Sequence, residues 1–303
     1  MESMKVVTHS GRFHADDVFA AAILEAALDS VELVRSRDAE VIAAADLVFD
    51  VGGIYDAESR RYDHHMRDLP RRPDGMPYSS VGLIWRDFGR SALPDLAPGI
   101  QDGDIEAVWR AIDDELILVI DQADNGIGPV SAGHLGLLIE AFNPTWDSTQ
   151  SYDDAFREAA AAARGILVRA CRQAHAAARA AVLVQTAAGQ SRDPRIIVLD
   201  RKLPWERAVY EGSLNEALFV VYPNEDGTAW YCRAIPPEPN SFGQRLTLPE
   251  AWRGLQDEAF SEAAGIEDGV FCHPSGFICG ARSRASTIRL ATQAIAAGAH
   301  QGP

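Results

Sequence analysis

Two textures alternate through the first fifty or so residues. KVVT (5–8) is a short apolar, β-branched run ending at His9, and SGRF follows it as a loop. ADDVFAAAILEAAL (15–28) repeats its apolar residues with helical spacing, and Asp16 or Asp17 stands where a carboxylate caps a helix start. VELVRSR (31–37) reads as a strand. A stronger strand lies within ADLVFDVGG (45–53), where LVFDV is apolar except for Asp50 and Gly52-Gly53 ends the run. Strand, helix, strand, helix, strand in this order predicts a mainly parallel α/β sheet flanked by helices. Residues 55–63 add a small hairpin before His64.

The pattern then turns helical. SSVGLIWRDFG (79–89) opens with serine caps, and residues 104–126 read as one long helix closed by Asn125-Gly126. SAGHLGLLIEAFNP (131–144) is a further helix ending at Pro144, and residues 153–187 form one long alanine-rich helix. Beyond GQSRDPR (189–195) come the strand RIIVLD, a hairpin turning at Asp226-Gly227, the helix LPEAWRGLQDEAFSEAAG, two short strands in VFCHPSGFICG and a last helix over 284–297. These elements predict a catalytic domain over 1–150, a helical connector over 151–190 and a smaller α+β domain over 191–303.

Bulk properties narrow the class. With 303 residues the chain exceeds the usual single-domain size, and 47% hydrophobic with 24% charged residues is ordinary globular composition. No run approaches the roughly 18 apolar residues of a membrane span. The start, MESMKVVTHS, has neither the basic nor the apolar region of a signal peptide, so a cytoplasmic protein is expected. Cys171, Cys232, Cys272 and Cys279 are widely spread and read as reduced thiols. A net charge of -16 disfavours broad electrostatic binding to nucleic acid. A carboxylate cluster that holds divalent cations would itself make a sequence acidic, while offering positive charge to a phosphate once loaded.

In a parallel α/β sheet, ligands bind where the carboxyl ends of the strands converge. His9, the loop with His14, Asp16 and Asp17, and Asp50 can therefore meet in one crevice, and His64 can join from the segment after the Asp50 strand. Taken singly, each has a plain reading: a turn-capping Asp50, a hydrogen-bonded His9, a solvated hairpin end at Asp63-His64-His65, turn chemistry at Asp124. All of these holding together is much less favoured. Asp50 is the sharpest, because a carboxylate inside an apolar strand calls for a partner or a metal. Histidine and carboxylate donors without cysteine suit Mn²⁺, Fe²⁺ or Zn²⁺, whereas Mg²⁺ prefers oxygen alone. Two such ions bridged by Asp50, on the most rigid element, would activate water for in-line attack on phosphorus.

Asp63-His64-His65 after an Asp-bearing strand resembles the signature of the DHH phosphoesterase superfamily, which includes RecJ-type exonucleases, nanoRNA and cyclic-dinucleotide phosphodiesterases and family II inorganic pyrophosphatases. The closer resemblance is to the melanocyte proliferating gene protein family. The similarity runs through THSGRFHADDVFAAAIL (8–24), FDVGGIYDAESRRYDHHM (49–66), DQADNGI (121–127), FNPTW (142–146), PWERAV (204–209), FVVYPNEDGTAWYCRAIP (219–236), LPEAWRGL (248–255) and HPSGFICGARSR (273–284). It implies a bilobal fold with metal in the N-terminal lobe. Metal ligands then fall on His9, His14, Asp16, Asp50 and His64, with a last acid at Asp121 or Asp124. Asp50, Asp63 and His65 take catalytic roles, His65 facing the substrate phosphate. The superfamily's first motif usually carries two spaced aspartates after its histidine, and here His14 stands at one of those places. The second lobe binds substrate through HPSGFICGARSR, where glycines let backbone N–H groups approach a phosphate and arginine offers a fork. This assigns His273, Gly276, Gly280 and Arg282. Cys272, His273 and Cys279 lack a fourth zinc ligand at a usual spacing. Trp205 and Trp252 read as core residues.

The expected function is a divalent-metal-dependent phosphodiesterase, using two ions, Mn²⁺ first with Mg²⁺ or Zn²⁺ as alternatives. It would trim RNA or short oligonucleotides, single-stranded RNA among them, in the 3′ to 5′ direction. The rivals are a small-molecule phosphohydrolase acting on a nucleotide, cyclic dinucleotide or pyrophosphate, and a non-catalytic metal-binding protein. The family's older description as a protein hydrolase finds no peptide-binding feature here. The sequence sets no oligomeric state and is compatible with a homo-oligomer.

Overall fold

The computed structural model describes residues 3–128, 134–212, 214–239 and 241–299. The chain divides into two compact units, Met1–His175 and Ala176–Pro303. In the first unit, β1 (Met4–Thr8), α1 (Ala15–Ala27), β2 (Val31–Arg35), α2 (Ala39–Ala43) and β3 (Leu47–Phe49) follow one another as the texture predicts. β4 (Tyr55–Asp56) and β5 (Arg61–Tyr62) form the expected hairpin. The sheet order is β2-β1-β3-β5-β4, parallel throughout except for β4.

α1 is buried on every side from Ala15 to Leu24, including Asp16 and Asp17. Its alanines let the helix lie close between its neighbours, and it packs chiefly on α3 (Ser80–Leu96). The helix starts earlier than either aspartate would cap it, by two residues for Asp16 and three for Asp17. His14 is the N-cap, and its N–H donates to Asp17 Oδ1 at 2.9 Å. Ser79, the N-cap residue of α3, and Ser80, its first residue, make no side-chain capping bond either, because both hydroxyls are given to buried acids. The single helix expected over 104–126 is α4 (Asp102–Ile112), a π-helical turn (Asp113–Ile117) and α5 (Leu118–Asp124). At the π turn Asp113 receives Arg72 at 2.6 and 2.9 Å, an ion pair between distant segments that local periodicity cannot report. α6 (Leu135–Glu140) lies in the next expected helix, whose start at 131–133 is outside the described residues.

α7 (Tyr152–Gly189) is the long alanine-rich helix, and the division between the units falls inside it. In the first unit it buries Phe156 edge-on to Phe13, with ring centroids 5.4 Å apart.

The second unit holds β6 (Ile196–Val198), α8 (Glu206–Tyr210), β7 (Phe219–Pro223), β8 (Trp230–Ala234), α9 (Asp257–Ala264), β9 (Gly269–Cys272), β10 (Ile278–Ala281) and α10 (Arg284–Ala299). Its sheet runs β6-β7-β8-β10-β9, antiparallel except for β6 with β7. The helix expected over 248–265 is only α9 preceded by a turn of 3-10 helix. Gly254 at φ +78° breaks it, and its N–H donates to Cys272 O, tying the segment to β9. All four cysteines are free and buried. Among the described residues no helix is long and apolar enough to cross a membrane.

Two glycines with opposite surroundings check this packing. A Cβ at Gly82 on α3 would collide with both carboxylate oxygens of Asp121, whereas one at Gly103 on α4 would meet nothing within 4 Å. Gly82→Ala should therefore destabilise by about 1–3 kcal/mol. Gly103→Ala should stabilise by about 0.4–1 kcal/mol. Thermal or urea melts of both variants measure this, and equal effects would contradict the described α3–α5 contact.

Candidate metal centre

Three parallel strands deliver the site. β1, β3 and β5 are neighbours with the same direction, so their carboxyl ends open on one edge. His9 follows β1, Asp50 follows β3, and Asp63-His64-His65 follow β5. Together with His14 and Asp16 at the start of α1 and Asp124 at the end of α5, they line an open cavity of about 1090 Å³. Asp50 holds a left-handed backbone, φ +56°, at the turn out of its strand, a conformation tolerated mainly by Gly, Asn and Asp.

Asp50 divides its carboxylate. Oδ1 lies 3.2 Å from His64 Nε2, and Oδ2 lies 3.2 Å from His9 Nε2. His9 Nε2 also faces Asp17 Oδ2 at 3.1 Å, while His9 Nδ1 lies 3.2 Å from Ser10 O. A ring nitrogen beside a carbonyl must carry a proton, so Nε2 is left as the ligating atom, the usual arrangement of a metal-binding histidine. His64 Nε2 faces three carboxylates: Asp50, Asp124 Oδ2 at 3.4 Å and Asp16 Oδ2 at 3.5 Å. One proton cannot bond to all three. Donor atoms about 2.0–2.2 Å from a common cation stand roughly 3.0–3.6 Å apart, which is the spacing found here. Asp16 Oδ1 and Asp17 Oδ2 are buried without a well-aligned hydrogen bond. Among the described residues the donor atoms fall into three groups: His9-Asp17-Asp50 and Asp50-His64-His65, which share Asp50, and His14-Asp16-Asp124. This donor set fits divalent cations.

Without a cation the carboxylates compete for few protons. Burial opposes a charged His9, but Asp17 and Asp50 outweigh it and push the imidazolium up to about 10. Burial likewise opposes a charged His64, and Asp50 and Asp16 push it up to about 9. Burial raises Asp17 to about 7, and burial with the nearby Asp16 charge raises Asp124 to about 8. Asp16 also rises, through burial and then the Asp50 charge. Asp50 alone falls: burial pushes it up, but bonds from His64 and His9 bring it below the ordinary carboxylate range.

Surrounding residues hold the donors in place. Asp63 lines the same cavity but spends its carboxylate on its own loop. Its carboxylate accepts the N–H groups of Gly53, His64 and His65 and meets His65 Nδ1 at 2.8 Å. Burial pushes Asp63 up, yet these bonds hold it down at about 2. His65, 63% exposed on its side chain, is left with Nε2 as its free ring nitrogen. Ser80 donates from Oγ and N–H to Asp16 Oδ2 at 2.8 and 3.3 Å, orienting that ligand.

Of the two acids left open on α5, Asp124 faces the cavity and Asp121 does not. Asp121 is fully buried against Arg72 at 2.8 Å and takes Ser79 Oγ–H at 2.8 Å and Ser79 N–H at 2.9 Å. It locks α5 to α3 and is withdrawn from the candidate ligand group. Asn143, within the FNPTW motif, accepts Phe13 N–H at 3.0 Å and donates to Phe13 O at 2.9 Å, clamping the His9–His14 loop. Asp17 and Asn143 lay within stretches the sequence singled out, but their part in holding His9 and its loop shows only in the tertiary contacts.

The second-unit residues stand in and beside the β9–β10 hairpin. His273 Nδ1 accepts Ser275 N–H at 3.1 Å, and Arg282 is exposed. Gly276 takes φ +65° at the turn, and a Cβ there would press on Arg253. A Cβ at Gly280 would press on Tyr231. Backbone geometry and packing account for both glycines.

Residues 5–295 match the family described as MYG1_exonuc, uncharacterised protein family UPF0160. The chain is 33% identical to MYG1 exonuclease of Homo sapiens, over 98% of this chain and 87% of that protein. It is 32% identical to a MYG1 protein of Schizosaccharomyces pombe, over 96% of this chain and 97% of that one. Among solved structures it is similar to RecJ from Thermus thermophilus in complex with Mg²⁺, with 16% identity and a TM-score of 0.28 over 96% of this chain. It spans 50% of that RecJ chain.

His9 and His64 must lose their protons to ligate. Asp124, raised to about 8, must do the same, so cation binding at pH 7 should release about three protons per protein, and affinity should rise as pH climbs from 7 towards 9. Calorimetric titration of Mn²⁺ in buffers of different ionisation enthalpy counts those protons; pH-independent binding without release would count against this ligand set.

Proposed function

We propose that the chain, which belongs to the MYG1 exonuclease family (uncharacterised protein family UPF0160), is a divalent-metal-dependent phosphoesterase that removes nucleotides from the 3′ end of RNA or short oligonucleotides. The observation that carries this reading is the Asp50 carboxylate, with one oxygen towards His9 and the other towards His64. That arrangement suits a carboxylate shared between two cation positions. His9, His14, Asp16, His64 and Asp124 complete the donors, and Asp17 backs His9. Cations bound there would lower the pKa of a water and neutralise charge on phosphoryl oxygens. Mn²⁺ is the favoured ion for mixed imidazole and carboxylate donors.

The chain's own groups supply the rest. His65 is exposed in the cavity and can donate from Nε2 to a phosphoryl oxygen, because Asp63 fixes the opposite face of its ring. Asp63 is a positioning residue in this scheme. In the second unit the exposed Arg282 and the part-exposed His273 are the groups offered to substrate phosphates. The human relative is named an exonuclease, and the extension of that activity to this chain rests on the shared family. Four reduced, buried cysteines fit a cytoplasmic setting.

A second reading is favoured by the net charge of -16: a small phosphoester, such as a cyclic dinucleotide or pyrophosphate, is repelled less than a long strand. Metal-stripped protein reloaded with Mn²⁺, Mg²⁺ or Zn²⁺ should shorten 3′-labelled and 5′-labelled RNA from the 3′ end. Asp50→Asn should lose at least roughly a hundredfold of that activity at unchanged melting temperature, since Asn tolerates the left-handed backbone. KM for RNA should climb steeply with salt if several phosphates are held. Salt-insensitive turnover of small substrates alone would move the conclusion to the second reading. Cation binding with no phosphoester turned over would overturn both.

A further inference from the structure

The second unit contains a cavity of about 830 Å³ that none of the proposed catalytic or substrate residues lines. One wall is the end of α7 with Leu183, another is α10 with Ile288, and the edge strand β6 contributes Ile196. Arg192, Arg201 and Arg284 converge on it. Among the described residues none of the three guanidiniums makes an ion pair or donates a hydrogen bond; Arg284 lies 5.8 Å from the Trp230 ring centroid.

Charge is what makes this concentration informative. The chain has 44 acidic against 28 basic residues, so a cavity lined by more arginines than carboxylates runs against its composition. Two aspartates line the same cavity. Asp193 is already held by Arg195 at 2.7 Å, which leaves Asp200. Three guanidiniums less the Asp200 carboxylate leave the cavity with two positive charges beside an apolar wall.

The edge of β6 is closed to another strand. Ile196 N–H donates to Asp193 O at 3.0 Å, and Ile196 O accepts Ser191 Oγ–H at 2.6 Å. An extended peptide would find few free backbone groups there, and the volume is that of a small-molecule site.

We propose that this cavity binds a nucleoside monophosphate: a dianionic phosphate on Arg192, Arg201 and Arg284, with the nucleoside against Leu183, Ile196 and Ile288. The cavity is lined by second-unit residues alone, and the proposal does not depend on the phosphoesterase reading. A guanidinium–phosphate fork gives two parallel hydrogen bonds, stronger than neutral ones.

Full-length protein with EDTA present, titrated calorimetrically with adenosine 5′-monophosphate, should bind one equivalent. Adenosine and inorganic phosphate should each bind at least tenfold more weakly, since each lacks half of the contacts. Arg201→Glu and Arg284→Glu should each weaken the nucleotide roughly tenfold or more. Both side chains are exposed, so melting temperatures should hold. Asp50→Asn should bind the nucleotide as the parent does. No saturable binding, or binding indifferent to both arginine variants, would overturn the proposal. Binding lost in Asp50→Asn would place the nucleotide at the metal centre and overturn it too, while leaving the phosphoesterase reading intact.

Discussion

Too many buried carboxylates meet too few protons at the end of the first sheet, and much of the first unit is arranged around that imbalance. Asp16, Asp17, Asp50 and Asp124 approach two imidazoles at distances of 3.1–3.5 Å. Such a cluster is costly to desolvate, and removing any cationic partner leaves uncompensated charge. Its persistence requires rigid supports: parallel strands that end together, an α1 enclosed on all sides, and hydroxyl donors from the start of α3. A cation would replace competing protons by a charge that all the donors can share.

The supports form a second ring with its own electrostatics. Arg72 joins Asp113 and Asp121, and Asp121 in turn holds Ser79 beside Ser80, which orients Asp16. Burial raises Asp121 to about 6 despite the Arg72 charge. The path from π turn to ligand thus runs through fixed hydrogen bonds. The loop between His9 and His14 is clamped from another side by Asn143.

The parallel sheet and the convergence of His9, His14, Asp16, Asp50 and His64 were legible in the sequence, because strand ends and a helix start are local features with a known place in an α/β fold. Asp121 and Asp124 could not be told apart. Three residues separate them on one helix, so both share its general face, and only the position of Arg72, about fifty residues earlier in the chain, decides which is consumed. Asp63 read as part of the chemistry because it adjoins the two histidines, yet its carboxylate is taken by backbone N–H groups. The serines at the start of α3 had the type of helix caps but were drawn off by tertiary acids. The glycines at 276 and 280 fit a phosphate loop by composition, while a turn and Tyr231 explain them by packing.

The left-handed backbone at Asp50 also limits how this centre can be remade. A β-branched side chain at that position would strain the strand end, so the carboxylate between His9 and His64 stands on one of the few residue types that accept this backbone. His14 is the opposite case: exposed, at a helix start, with its backbone in an ordinary extended conformation. Position 14 is therefore open to substitution without backbone strain, while the carboxylate between His9 and His64 is confined to the few residue types that its backbone admits.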